Sequence, residues 1–173
     1  MKKIKIIGIF IIFGLSFIGH FLYSWLPNSV FSIFFPVNES IWEHMKLLAT
    51  PVLIFSFLEY IIYKRKNISF NNFLLSYASS IILGIIIYLA IYLPIDYIFG
   101  HSVVVAISLL IIIFIIIEII SYHIMNYKEI KYSNIIGIGI IVLLYIIFGY
   151  LTYNPIPIKL FYDSQKKLYG IPK

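Results

Sequence analysis

The chain has 173 residues, of which 62% are hydrophobic, 18% aromatic and only 12% charged, with a net charge of +6. Soluble domains carry roughly 45–50% apolar and about 25% charged residues, so a mean hydropathy of +1.02 excludes a water-soluble globule and makes lipid the solvent for most side chains. The thirteen Lys and Arg are strung along the ends of apolar runs, which excludes the massed basic face of a nucleic-acid-binding protein, and the lack of cysteine excludes disulfide and thiolate chemistry.

The first predicted membrane helix covers residues 4–26. Lys2, Lys3 and Lys5 cluster at its start in the manner of a signal peptide, and Gly14-Leu15-Ser16 offers a small-x-small cleavage pattern. The apolar stretch runs on through Phe17, Ile18, Phe21 and Leu22, so an uncleaved helix is expected. His20 lies about 24 Å along it from Ile4, near its far end. Pro27-Asn28-Ser29 then breaks the run.

Residues 36–46 read Pro-Val-Asn-Glu-Ser-Ile-Trp-Glu-His-Met-Lys, a polar block between runs of Ile, Leu and Phe. So many hydrogen-bonding groups beside a bilayer are costly unless they pair, meet water or bind something. Ser40-Ile41-Trp42-Glu43 matches a capping box, in which hydroxyl and carboxylate satisfy exposed amides at a helix start. Glu39 would sit at the positive end of the helix dipole, Glu43 would pair with Lys46, and Trp42 would anchor at the interface. That reading accounts for Ser40, Trp42 and Glu43 and leaves Asn38 and His44 without a role. His44 projects roughly 100° from Glu43, toward the face of Leu47, Leu48 and Pro51.

The second helix, residues 42–63, carries Pro51, which removes a backbone hydrogen bond and bends the helix near Leu47. Lys64-Arg65-Lys66-Asn67 closes it. The third and fourth helices, residues 70–93 and 102–122, flank a turn-like segment with Asp96 and His101. A fifth, residues 134–153, follows the charged loop 126–133. Glu59 and Glu118 lie toward the opposite end of their helices and are expected to snorkel to Lys64, Arg65, Lys66 or Lys128. A proton or cation relay is the sharper alternative. The tail, residues 154–173, is too proline-rich for a helix and too aromatic for a free linker. It either folds back over the polar block, bringing Tyr162 and Asp163, or lies on lipid.

Cationic flanks at Lys2, Lys3, Lys5, at Lys64, Arg65, Lys66 and at Lys128, Lys131 set the orientation. Positive-inside puts the N-terminus in the cytoplasm and, after five crossings, the tail outside. Tyr23, Trp25, Trp42, Tyr92, Tyr97, Tyr150 and Tyr153 mark the outer interface, and Tyr60, Tyr63, Tyr122, Tyr127 and Tyr132 the inner one. The expected fold is a single all-α integral membrane domain over residues 1–173, a bundle of five transmembrane helices. Heavy use of Ile, Lys, Asn and Tyr points to an AT-rich bacterial genome, hence to a multi-pass protein of the bacterial cytoplasmic membrane.

Threading the chain this way gathers His20, Asn38, Glu39, Glu43, His44, Asp96 and His101 at the outer face. Glu43 and His44 are the candidate catalytic base or ligands, and His20, Asn38, Glu39, Asp96 and His101 the candidate binding groups. Three or four N/O donors make a metal site, and His20, His44 and His101 with Glu39, Glu43 or Asp96 could supply them. No His-x3-His or His-Glu-x2-His spacing occurs, so metal and cofactor stay open. The plainer reading is histidines hydrogen-bonded to a neighbouring helix.

The block Asn38-Glu39-Ser40-Ile41-Trp42-Glu43-His44-Met45-Lys46 resembles the N-E-S-x-W-E-H-x-K signature of an uncharacterised family of small bacterial integral-membrane proteins. Leu160-Phe161-Tyr162-Asp163 with Tyr169-Gly170-Ile171-Pro172 resembles that family's tail, so the likeness spans nearly the whole chain. The resemblance implies a topology and a focal motif, with block and tail belonging together, but no activity. The leading functional reading is an outer polar pocket that binds or processes a lipid or cell-envelope precursor. A small solute or ion transporter and a non-catalytic subunit of a membrane complex are the alternatives. The bilayer is the one partner implied, and whether the chain is an enzyme is open.

Overall fold

The described residues, 1–171, form six α-helices in the computed structural model: α1 Lys2–Trp25, α2 Ser29–Phe34, α3 Ile41–Arg65, α4 Phe73–Phe99, α5 Val103–Met125 and α6 Ser133–Tyr153. Pro172 and Lys173 of the tail lie outside the described residues. Every helix except α2 is long and apolar enough to cross a membrane. The fold is all-helical and membrane-spanning in character, with one two-stranded hairpin in the tail.

Helix α3 is the central element. Thirteen of its 25 residues are buried, against five of 24 in α1. Those five, Lys5, Gly8, Ile12, Ser16 and Gly19, recur every three or four residues, one stripe of a 3.6-residue helix. The stripe faces α3 and α5, while α4 packs on α3, α5 and α6. A Cβ at Gly8 would stand 2.5 Å from the Phe55 ring, so the missing side chain is what lets α1 close onto α3. Ile12, Leu48, Val52, Ile81, Ile113 and Phe148 fill the interior with no exposure. The outer faces are equally apolar: Phe10 is 74% and Val104 75% exposed. A surface of that kind is stable only against lipid or protein.

The ends of the long helices move by up to three residues from the sequence reading, and two departures are larger. The pattern ends the third span at Leu93, but α4 runs through Pro94 to Phe99. One proline removes one backbone bond, which a membrane helix tolerates, and Gly100 (φ +79°) ends the helix by donating its N–H to the Asp96 carbonyl. The break at Pro27-Asn28-Ser29 opens α2, whose six residues are too few to show a period. Asn28 caps it, its Oδ1 accepting from the amides of Val30 and Phe31.

Helix α2 leaves carbonyls unpaired at its C-terminus, and α3 takes them with side chains one turn apart. The Lys46 ammonium donates to the Ser32 carbonyl at 2.7 Å and the Thr50 hydroxyl to the Phe34 carbonyl at 2.6 Å. Lys46 is fully buried and also contacts Glu43 and, at 2.6 Å, the Thr152 hydroxyl of α6. The end of the bundle carrying residues 36–46 (the motif end) is thereby pinned across α2, α3 and α6.

The tail folds back onto that end. A 3₁₀ turn, Lys159–Phe161, leads into strands β1 Tyr162–Asp163 and β2 Leu168–Tyr169, paired antiparallel. Phe161 packs 5.2 Å from the Trp42 ring. The buried Asp163 carboxylate accepts the Glu39 amide through Oδ2 and the Gln165 and Lys166 amides through Oδ1. The Asn38 side chain donates to the Gly170 carbonyl at 2.7 Å.

At the opposite end the acids do not snorkel. Glu59 and Glu118 meet Lys5, which the sequence reading counts among the flanking charges but which closes the buried stripe of α1. The Lys5 ammonium lies 2.9 Å from Glu59 and 3.1 Å from Glu118, and donates to Tyr77 and Ser121 hydroxyls. The aromatic belt also needs correction. Trp25, Tyr97, Tyr150 and Tyr153 are exposed, whereas Tyr63 and Tyr92 are core residues. Trp42 sits between Phe148 and Phe161 with its indole N–H unpaired among the described residues.

Candidate functional site

Three side chains from three segments converge at the motif end. Helix α1 supplies His20 from its last turns, the turn before α3 supplies Glu39, and the first turn of α3 supplies His44. His44 Nε2 lies 3.4 Å from Glu39 Oε2 and 3.4 Å from His20 Nε2, and His20 Nε2 lies 3.5 Å from Glu39 Oε2. The three atoms form a nearly equilateral triangle. All three side chains are about one-third exposed or less.

Local folding fixes each corner. Ser40 caps α3 by accepting the Glu43 amide, and its carbonyl meets His44 Nδ1 at 2.8 Å. A carbonyl can only accept, so Nδ1 carries a proton; Nε2 then either presents a lone pair or, when it also carries a proton, donates to Glu39. Glu39 is held through its backbone by Asp163 of the tail. His20 is braced by the Phe21 ring at 4.9 Å and meets the His44 ring edge-on at 5.2 Å. The two imidazoles hold the Glu39 carboxyl well below the usual carboxylate range, His20 contributing most and His44 next, against the opposing effect of burial.

The triangle lies at the edge of a cavity of about 280 Å³ between α1, α3, α4 and α5. Its walls include Phe13, Phe17, Leu47, Ala106, Ile107 and Leu110, while His20, Glu39, His44 and Gln165 supply its polar end. Phe17, Phe21, Val103 and Ile107 on its rim are also exposed on the flank of the bundle. A smaller cavity of about 160 Å³ shares His20 and Glu39 and reaches Pro27, Asn38 and Lys166. His20 and Glu39 therefore stand between an apolar space and a more polar one.

The other candidates are distributed around this group. His101 lines the larger cavity but bonds the Tyr92 hydroxyl at 2.8 Å, outside the triangle. Asp96 is buried and pairs with Lys159 at 2.7 Å. Asn38 ties the Ser40 amide to the tail. Glu43 points away from the cavity, accepting the Thr152 hydroxyl at 2.7 Å and the Val37 amide at 3.1 Å besides pairing with Lys46. Only half of the expected capping box forms. Ser40 accepts the Glu43 amide, but the Ser40 amide goes to Asn38 and the Glu43 carboxylate to Val37. Sequence reasoning missed Tyr88, Tyr92 and Gln165 as cavity-lining groups. The four-residue spacing of the tyrosines on α4 was a usable signal, whereas nothing local marks Gln165.

The model of a family described as a family of unknown function (DUF6512) matches residues 1–171, and the chain belongs to that family. No curated protein and no solved structure matches the chain.

Proposed function

We propose that this member of a family of unknown function binds an amphiphile, a lipid or lipid-linked envelope precursor, at the outer face of the membrane. The apolar portion occupies the cavity between α1, α3, α4 and α5, and the polar head lies against His20, Glu39 and His44. One observation carries the reading: a single cavity joins almost wholly apolar walls to one concentrated polar end. Ligand sites combine those features, apolar lining for affinity and a few placed polar groups for orientation. The exposed rim between α1 and α5 offers entry sideways from lipid, and Gln165 brings the folded-back tail to the polar end. Positive-inside supports the outward orientation.

A transporter is less well supported. His20 and Lys5 are fifteen residues apart on α1, about 22 Å, and Ile12, Leu48, Val52, Ile81 and Ile113 fill the core as fully buried apolar residues. The buried hydroxyls of Ser56 and Ser80 donate to carbonyls of their own helices.

Native mass spectrometry of the protein released from bilayer nanodiscs tests the proposal. Ala106→Trp fills the cavity without touching the polar triangle. Wild type should retain lipid adducts that Ala106→Trp loses, with both proteins melting alike. Equal adducts on both would reject the site.

A further inference from the structure

We propose that His20, Glu39 and His44 form a three-ligand site for a divalent first-row cation, zinc foremost, with its fourth position turned to the cavity. The role of the ion rests on the amphiphile reading above, but its binding can be measured without any amphiphile.

The geometry is the first argument. Zinc binds imidazole nitrogen at about 2.0–2.1 Å and carboxylate oxygen at about 2.0–2.2 Å, usually tetrahedrally. Tetrahedral ligands are separated by about 1.6 times the bond length, roughly 3.3–3.4 Å. The observed edges are 3.4, 3.4 and 3.5 Å. It is also the one group of three His, Asp or Glu donors among the described residues whose ligand atoms all approach one another within 4.8 Å.

The donors are the second argument. The His44 Nδ1–H donates to the Ser40 carbonyl, the arrangement that orients a metal-binding imidazole and fixes its tautomer. With that tautomer its Nε2 lone pair points toward His20 Nε2 and the Glu39 carboxylate. Two ring nitrogens and a carboxylate oxygen this close need positive charge between them, either a proton on a ring nitrogen or a metal ion. Two neutral histidines and a carboxylate suit zinc among the common ions, whereas magnesium and calcium prefer all-oxygen sets.

The third argument is coordination number. Structural zinc sites close with four protein ligands, and sites that act on a ligand keep a position open. Here three side chains converge beside a cavity, with Asp163 holding the Glu39 backbone from behind. The open position faces the space assigned to the amphiphile head, so the ion would take an oxygen of that head, from a phosphate or a carboxyl group.

The test is equilibrium zinc binding to the full chain after chelator treatment, with metal content read by elemental analysis. Wild type should take up one zinc per chain. His44→Ala and Glu39→Gln should each weaken binding at least tenfold, while His101→Ala should bind as wild type does. Cobalt(II) in place of zinc should give the visible absorption of a four-coordinate ion, absent from Glu39→Gln. Melting temperatures of the metal-free variants report folding, and Glu39→Gln, nearly isosteric, serves if His44→Ala does not fold. No uptake by wild type would overturn the inference in favour of protons. Equal uptake by wild type and Glu39→Gln, or loss on His101→Ala alone, would overturn the assigned ligands. Lipid adducts counted on the zinc-free protein separate the two proposals, since a lost metal site with retained adducts removes only this one.

Discussion

Lys5 and Glu59, 54 positions apart, meet as a buried ion pair at 2.9 Å, joining the first turn of α1 to the far end of α3. Tyr63 and Tyr77 donate to the same carboxylate, and Glu118 approaches the ammonium from α5. One cation thus serves two buried carboxylates. Removing one partner of such a pair leaves an uncompensated charge, which costs about 3–5 kcal/mol, whereas replacing the pair by apolar groups is often neutral. Lys5→Met should therefore lower stability in detergent by about 3–5 kcal/mol, and Lys5→Met with Glu59→Met should recover part of that loss. Thermal unfolding followed by circular dichroism measures both. A double variant less stable than Lys5→Met would contradict the coupling.

The tail is fastened by few bonds, and Asn38 makes a central one. Its side chain accepts the Ser40 amide and donates to the Gly170 carbonyl, while Gly170 has φ +67° and would bring a Cβ within 2.8 Å of the Thr152 carbonyl. Asn38→Ala leaves polar groups unpaired, worth about 1–3 kcal/mol, and Gly170→Ala adds backbone strain. Either should free the hairpin locally, so that trypsin cuts after exposed Lys166 or Lys167 at least tenfold faster, with little change in global melting. Gly139→Ala, where an added methyl meets nothing within 4 Å, is the control.

The five long helices were legible because apolar length is a one-dimensional property that each segment carries alone. The site was legible in part. Polarity confined to residues 36–46 marked where side chains would gather, and helix length brought His20 alongside. What the sequence does not carry is which polar groups neutralise one another. Glu43 and His44 are adjacent in sequence, yet one is absorbed by Lys46 and Thr152 and the other faces the cavity. The same holds for Lys5, whose position on the buried stripe of α1 outweighs its place in a cationic flank. Pro94 misled because proline reads as a breaker, although losing one bond near a helix end does not stop the helix.

Acid should act on Glu39 in a defined window. Its folded-state pKa is depressed by His20 and His44, so its stabilising contribution is fully present above the unfolded value of about 4.3. That contribution fades as pH falls from there toward the lower folded value. Because Glu39 also pairs with His20 once that imidazole is protonated, the stability difference between wild type and Glu39→Gln should rise as His20 protonates on going below neutral pH and then shrink below about pH 4. Paired unfolding curves across that range measure it. A difference that does not shrink below about pH 4 would show that the imidazoles do not hold the carboxylate.

Orientation is open to direct measurement because the chain has no cysteine. Ser164 lies exposed in the hairpin turn at the motif end, and Ser69 lies exposed between α3 and α4 at the opposite end. Positive-inside makes the loop beside Lys64, Arg65 and Lys66 cytoplasmic. A membrane-impermeant maleimide should then label Ser164→Cys in intact cells, and Ser69→Cys only after permeabilisation. Neither substitution removes a charge, so the variants leave the orienting signal intact. The reverse pattern would turn the cavity and its His20–Glu39–His44 end toward the cytoplasm. An amphiphile could still bind there, but it would be drawn from the inner leaflet, and an envelope precursor displayed outside would no longer reach the triangle.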